Sequence, residues 1–174
     1  MKIRGRIIRL GDNVDTDVII PARYLVTHDA EILAKHVFED YYPGFRVRAA
    51  GGAIIVAGEN FGLGSSREHA VIALKHSGVK AIVAKSFARI FYRNSINLGL
   101  PALVFREKES LERLKDGDEA ELDVANGVLT VIKTGEKFSC DKMPEFMMRI
   151  IEAGGLIGYF ERRRGEKPVE NKAR

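Results

Sequence analysis

The sequence predicts an α/β domain with a mostly parallel central sheet and an added β-hairpin. Between residues 53 and 105, short runs of β-branched and aliphatic residues alternate with helical patterns, as is typical of parallel strands joined by crossover helices. Further along, two strand-like segments flank Asn126-Gly127, a dipeptide that favours the tight turn of a hairpin. These two observations define the predicted architecture.

The first third of the 174-residue chain is predicted to hold two strands and one helix. Residues 2–10 alternate loosely between aliphatic and polar side chains, which indicates a strand. Residues 30–40 have the pattern of an amphipathic helix, and Asp29 is placed to cap its first turn. The uninterrupted apolar run at 53–57 indicates a buried strand.

Strands and helices continue to alternate in the remaining two thirds of the chain. In order, the pattern predicts a helix at 70–77, a strand at 80–84, a helix at 87–98 capped by Ser86, a strand at 101–105, a short helix at 111–115, hairpin strands at 121–124 and 128–132, a third strand near Phe138 and a closing helix at 143–153. We therefore expect one domain over 1–160, followed by a basic, flexible C-terminal tail over 161–174.

Composition narrows the class of protein. No apolar run approaches the roughly 18 residues of a membrane span, and no secretory signal follows the charged start, which favours a cytoplasmic protein. The single cysteine, Cys140, excludes an internal disulfide and an iron–sulfur cluster held by this chain alone. A lone cysteine in such a segment is more often buried than reactive.

The net charge of +4 comes mostly from the tail at 161–174, which carries six Lys or Arg residues against three Glu. The rest of the chain is nearly neutral. Such a tail can contact RNA or membrane phosphates, but a solvated terminus is the commoner outcome. We therefore expect neither nucleic-acid binding nor membrane binding.

A glycine-rich loop leads from the strand at 53–57 into the following helix and carries the strongest functional signal. Its three glycines permit close approach of a ligand to the backbone. Ser65, Ser66 and Arg67 then stand at the start of the helix, where an anion is stabilised. The spacing matches neither the dinucleotide fingerprint nor the phosphate loop, so we expect a carboxylate site. A purely structural capping box formed by Ser65 and Glu68 fits the same spacing.

The segment 60–70 resembles the signature of the small subunits of isopropylmalate dehydratase and their relatives in the aconitase superfamily. Three further segments resemble motifs of that family in the same order, at 11–21, 24–27 and 85–91. Leu63 stands where many relatives carry cysteine, a difference that leaves the two hydroxyls and the guanidinium of the loop in place. The resemblance implies the family's swivelling β/β/α three-layer fold.

The resemblance also implies an activity. Members of the family act as a hydro-lyase that isomerises 2-isopropylmalate to 3-isopropylmalate by dehydration and rehydration, a step of leucine biosynthesis. By the same resemblance Ser65 is the catalytic base, and Arg67 and Ser66 bind the substrate. The family places a [4Fe–4S] cluster on a separate large subunit. The expectation is therefore a heteromer in which this chain holds no cofactor or metal and binds a small malate-type dicarboxylate.

Substrate recognition is assigned by the resemblance to two segments, the N-terminal motif and residues 24–27, which we call the specificity loop. In the first segment an aspartate can equally cap its own backbone. In the second, Val26 suits an isopropyl or methyl group, whereas relatives that act on homoaconitate carry arginine in this loop. The residues assigned to substrate binding in these segments are Thr16, Asp17, Tyr24, Val26 and Thr27.

Other functions remain open from the sequence. The chain could be the small subunit of a citramalate or homoaconitate hydratase, which would differ in the specificity loop. A stand-alone carboxylate-binding module would use the same glycine-rich loop without a partner. An RNA-binding protein would depend on the tail, and its affinity would fall steeply with salt.

Overall fold

A seven-stranded mixed sheet organises the chain, with the N-terminal strand at its centre. The computed structural model describes residues 1–64 and 67–165. The strands are β1 (Lys2–Arg9), β2 (Ala53–Ala57), β3 (Val79–Ala84), β4 (Ala102–Val104), β5 (Glu119–Asp123), β6 (Val128–Val131) and β7 (Lys137–Ser139). Their spatial order is β4-β3-β2-β1-β5-β6-β7.

Strand β1 joins two halves of different kind. On one side β2, β3 and β4 pair in parallel, and Ile7 of β1 lies opposite Ile54 of β2. On the other side β5, β6 and β7 pair antiparallel, and Ile3 lies opposite Leu122. The predicted α/β fold class is confirmed. The sheet is half parallel and half antiparallel, because the last third of the chain adds hairpin strands instead of crossover units.

Helices connect the strands and cover the sheet. They are α1 (Thr16–Ile19), α2 (Ala30–Lys35), α3 (Phe45–Ala49), α4 (His69–His76), α5 (Arg89–Asn97), α6 (Ser110–Arg113), α7 (Glu145–Glu152) and α8 (Leu156–Gly165), with a 3₁₀ turn at Ala22–Tyr24 between α1 and α2. None of the helices in the described part of the chain is both long and apolar enough to cross a bilayer.

Both faces of the central strands are buried. Consecutive residues of a strand point to opposite faces, and Ile7 and Ile8 of β1 accordingly belong to two separate apolar clusters. Ile8 packs with residues of α1 to α4, whereas Ile7 packs with residues of α5 to α7 and of the antiparallel strands. This burial on both faces explains the continuous apolar runs in the sequence of β2 and β3.

The strands lie where the sequence predicts them. Those expected at 2–10, 53–57, 80–84 and 101–105 correspond to β1 to β4. The hairpin between β5 and β6 turns at Asn126-Gly127, where Gly127 takes a φ of +65°. The third strand expected near Phe138 is β7.

The helix expected at 30–40 is shorter than predicted and ends after Lys35. Its cap is confirmed, since Oδ1 of Asp29 accepts hydrogen bonds from the N–H groups of Glu31 and Ile32. Further along, Phe38 takes a left-handed φ of +53° and donates its N–H to the carbonyl of Ile19 at 2.8 Å. A tertiary hydrogen bond therefore replaces the next helical one.

Other helix predictions need correction. Ser86 does not cap a helix: α5 begins three residues later, and the Ser86 hydroxyl instead accepts from the N–H of Asn60 and donates to Glu59. The sequence did not indicate α1, α3 or α8. Helix α8 includes residues 161–165 of the predicted tail, and residues 166–174 lie outside the described residues.

A glycine in the loop after β2 allows that loop to pack tightly on α5. Gly62 takes a φ of +80°, and a Cβ atom added there would lie 2.1 Å from Cγ of Phe91. The Phe91 ring in turn packs edge-on against Phe61, with ring centroids 5.3 Å apart. A side chain at position 62 would therefore face both an unfavourable backbone conformation and a steric clash.

We expect Gly62→Ala to lower the free energy of unfolding by about 2–4 kcal/mol, because strain and overpacking add. Gly135→Ala is the matched control. Gly135 also has a positive φ, of +72°, but no atom lies within 4 Å of the added Cβ, so about 1 kcal/mol should be lost. Urea denaturation of the two variants measures the difference, and equal losses would contradict this packing argument.

Candidate functional site

The candidate site lies where the loops after β1 and β2 run side by side. These strands are parallel neighbours, so their carboxyl ends meet at the same edge of the sheet. Backbone hydrogen bonds continue the pairing beyond the strands, from Asn13 N to Glu59 O at 2.7 Å, from Gly62 N to Val14 O at 2.8 Å and from Thr16 N to Leu63 O at 2.8 Å. The two loops therefore hold each other in place.

Helix α1 presents two of the predicted site residues. Asp15 is its N-cap and accepts a hydrogen bond from the N–H of Asp17 at 2.7 Å, which is the local capping role that aspartate favours here. Thr16 is buried, with 4% of its surface exposed, whereas Asp17 is exposed. The N-terminal motif therefore both caps a short helix and places Asp17 at the surface.

A small cleft brings Thr16 and Asp17 together with Arg67. The space has a volume of only about 10 Å³, and its lining comes from α1, the specificity loop and the start of α4: Thr16, Asp17, Ile20, Leu25, Arg67 and Ala70. Arg67 is exposed, so its guanidinium can meet a ligand from outside the chain. A guanidinium offers two parallel donors to a carboxylate.

The predicted catalytic base Ser65 and its neighbour Ser66 lie outside the described residues. Helix α4 begins at His69, with Glu68 as its N-cap and no side-chain capping bond. The capping box with Ser65 as N-cap is therefore wrong.

The specificity loop uses its side chains in different ways. Val26 is 91% exposed. Tyr24 turns inward: its hydroxyl donates to Oε1 of Glu39 at 2.6 Å, and its ring stacks on His36 with centroids 3.9 Å apart. The Thr27 hydroxyl accepts from the N–H of Asp29 at 3.1 Å. Val26 is thus the predicted recognition residue that is most available to a substrate.

A buried histidine that sequence reasoning missed stands next to the cleft residue Ala70, at the start of α4. His69 is only 8% exposed, and its ring packs on His28 with centroids 4.7 Å apart. Neither ring nitrogen has a partner with good hydrogen-bond geometry within the described ranges 1–64 and 67–165. Burial, together with the nearby His28, lowers the pKa of His69, although the Thr27 backbone beside the ring opposes this fall. The only available signal was a histidine among the apolar positions of a helix.

The chain does not provide ligands for an iron–sulfur cluster. Cys140 is buried, and burial raises the pKa of its thiol to about 12, whereas a cluster is held by thiolates. Among the residues that the structure describes, no group of three or more His, Cys, Asp or Glu side chains could hold a metal ion. An iron–sulfur cluster therefore does not fit this chain.

Comparison with known proteins first defines the class. The family model of the aconitase C-terminal domain matches residues 19–108, which include the cleft residues of the specificity loop and of α4. In Aquifex aeolicus the 3-isopropylmalate dehydratase small subunit is 51% identical over 168 residues, covering 96% of this chain and 99% of the relative. The 2,3-dimethylmalate dehydratase small subunit of Eubacterium barkeri is 52% identical over 159 residues, covering 91% and 96%.

A solved structure agrees with these relatives. The crystal structure of a 3-isopropylmalate dehydratase from Methanocaldococcus jannaschii superposes with a TM-score of 0.88 at 43% identity, covering 96% of this chain and 98% of that one. The chain therefore belongs to the family of 3-isopropylmalate dehydratase small subunits and their relatives with the aconitase C-terminal domain. The resemblance inferred from the sequence motifs is confirmed.

The buried neutral state of His69 predicts a pH effect on stability. Because the folded-state pKa is lowered, the unfolded chain binds a proton first as the pH falls below about 6.5. Below that pH, the wild-type protein should lose stability relative to His69→Gln. Above that pH, the stability difference between the two proteins should stay constant.

Melting temperatures between pH 7.5 and pH 5, a window that spans the usual histidine pKa of about 6.5, measure this difference. His76→Gln is the control, because His76 is an exposed histidine at the end of the same helix. If the His69 and His76 variants gave the same pH dependence relative to wild type, burial of His69 would have no energetic consequence.

Proposed function

We propose that this chain is the small subunit of a two-subunit hydro-lyase that isomerises 2-isopropylmalate to 3-isopropylmalate in cytoplasmic leucine biosynthesis. Relatives with this name are about half identical to the chain and are matched over nearly their whole length. The observation that carries the proposal for the site is the cleft, which brings Thr16, Asp17 and Arg67 together from two loops.

The chain's own groups would bind the substrate and move its proton. Arg67 would hold one carboxylate of the malate-type acid through two parallel hydrogen bonds. Ser65 would remove the proton from the carbon beside a carboxylate. A serine hydroxyl is a poor base in water, so its alkoxide needs stabilisation by nearby N–H donors and positive charge. Ser66 would add a hydrogen bond to the substrate.

The same proposal requires a large subunit. Dehydration needs a Lewis acid to accept the departing hydroxide, and the [4Fe–4S] cluster expected on the large subunit supplies that chemistry. This chain has one buried cysteine with a raised pKa, so it cannot supply the thiolates. We therefore expect the isolated chain to be inactive and the reconstituted pair to be active.

The substrate preference is argued from Val26. This exposed side chain is apolar, which suits the isopropyl group better than a third carboxylate. A few buried carbons contribute about 1–3 kcal/mol, so the preference over smaller apolar groups would be modest. The Eubacterium barkeri relative, named for 2,3-dimethylmalate, is equally similar to the chain. A dimethylmalate or citramalate dehydratase is therefore the second candidate.

Ser65→Ala should strongly lower turnover but leave substrate binding nearly unchanged in the enzyme reconstituted with its large subunit. Loss of a general base lowers kcat by about 1000-fold, whereas KM should change less than about threefold. Steady-state kinetics with 2-isopropylmalate measure both values. Ser139→Ala, in the exposed edge strand β7, is the control. Near-normal turnover in Ser65→Ala would remove Ser65 from the mechanism.

Val26→Arg should shift the preference towards tricarboxylic acids of the homocitrate type. A guanidinium in the specificity loop can pair with a third carboxylate, so relative kcat/KM should move by about tenfold or more towards these acids. Competition assays with both substrates measure the ratio. Val47→Arg is the matched control, because Val47 is 80% exposed but lies in α3, outside the specificity loop. An equal shift in both variants would count against the specificity loop.

A further inference from the structure

A carboxylate outside the cleft accepts hydrogen bonds from residues at the start of the specificity loop. Glu39 lies in the turn after α2, and its Oε1 accepts hydrogen bonds from the Tyr24 hydroxyl and from Arg23. Its Oε2 is hydrogen-bonded to Nδ1 of His36. Although partial burial opposes ionisation, these three hydrogen bonds lower the pKa of Glu39. Glu39 is therefore a carboxylate at neutral pH and holds both residues at the start of the loop.

Neighbouring groups reinforce the same attachment. Arg23 also binds both carboxylate oxygens of Asp40, at 2.8 Å each, and its guanidinium lies 5.0 Å from the centre of the Tyr24 ring. The Tyr24 ring stacks on His36 with an interplanar angle of 10°. We call Arg23, Tyr24, His36, Glu39 and Asp40 the Glu39 cluster. It joins the 3₁₀ turn to the segment that follows α2.

The backbone of the loop provides little attachment of its own. The N–H groups of Tyr24, Leu25 and Thr27 donate to Pro21, Ala22 and Tyr24, so all three bonds stay within the turn. Leu25 reaches the cleft beside Arg67, and the next residue, Val26, is exposed. Leu25 and Tyr24 also pack against the apolar cluster that contains Ile8. The position of Val26 relative to the cleft therefore depends on this packing and on the polar side-chain contacts of Arg23 and Tyr24.

We propose that Glu39 is a positioning residue for substrate discrimination, which holds Tyr24 and Arg23 so that Val26 stays at a fixed place beside the cleft. The proposal rests on the proposed function, since it concerns recognition of the apolar group of a malate-type acid. Glu39 does not line the cleft, so it acts through the loop. A loop released from Glu39 would sample more positions and distinguish the sizes of apolar groups less well.

The first test uses the isolated chain and needs no activity. In Glu39→Gln the charge is lost but the size is kept, and in Tyr24→Phe only the hydroxyl is lost. Loss of a hydrogen bond to a charged group should speed amide hydrogen exchange at Tyr24, Leu25 and Thr27 by about tenfold or more. Exchange at the β3 amides should not change. Glu31→Gln is the control, because Glu31 is exposed and its ion pair with Arg46 is long, at 3.8 Å.

The second test uses the enzyme reconstituted with its large subunit. In Glu39→Gln and Tyr24→Phe, the ratio of kcat/KM for 2-isopropylmalate over citramalate should fall by at least about fivefold, mainly through KM for 2-isopropylmalate. For Glu39→Gln, which does not touch the cleft, kcat at saturation should stay within about threefold of wild type. A change in this ratio reports on recognition, whereas general destabilisation would lower kcat/KM for both acids together.

The outcomes separate the inference from the proposed function. Faster exchange together with a lower ratio supports the inference. Unchanged exchange, or faster exchange with an unchanged ratio, overturns it and leaves the Glu39 cluster a structural contact only. A wild-type pair without activity on either acid overturns the proposed function and the discrimination claim with it, while the exchange data still show whether Glu39 holds the loop.

Discussion

The hydrogen bonds between the loops after β1 and β2 are the constraint on which the candidate site depends. Parallel pairing brings the carboxyl ends of both strands to one edge, and Thr16 N to Leu63 O, at 2.8 Å, is the last bond of the series. The loop after β3 joins through Ser86, which receives the N–H groups of Asn60 and Phe61. Three loops that begin on neighbouring strands are thus fixed together. Arg67 lies near the end of the second of these loops, just before α4.

Under the proposed function, this arrangement would divide the chemistry between two polypeptides. The chain contributes an exposed guanidinium, a short helix with Asp17 at the surface and a loop that displays Val26. It contributes no site for a cluster, since its only cysteine is buried with a raised pKa. Polar groups that face outward from a small cleft suit a substrate held between two surfaces. The proposed partner would therefore complete the site chemically and sterically.

The sequence predicted those features that depend on local pattern. The β-branched runs of β2 and β3 and the Asn-Gly turn carry their own signal, and the motif resemblance predicted which loops form the candidate site. Helices α1 and α3 are too short to show periodicity. The end of α2 at Phe38, the hydroxyl bonds of Ser86 and the link from Tyr24 to Glu39 depend on tertiary contacts. Such contacts leave no trace in residue spacing.

The central claim is that Arg67 and the neighbouring α1 loop hold a substrate carboxylate at a surface shared with the large subunit. A crystal structure of the reconstituted pair with an unreactive malate-type dicarboxylate tests it most directly. The account predicts a carboxylate within about 3.2 Å of the Arg67 guanidinium nitrogens, with the specificity loop against the rest of the ligand. A ligand held by the large subunit alone, with Arg67 out of hydrogen-bond range, would contradict it.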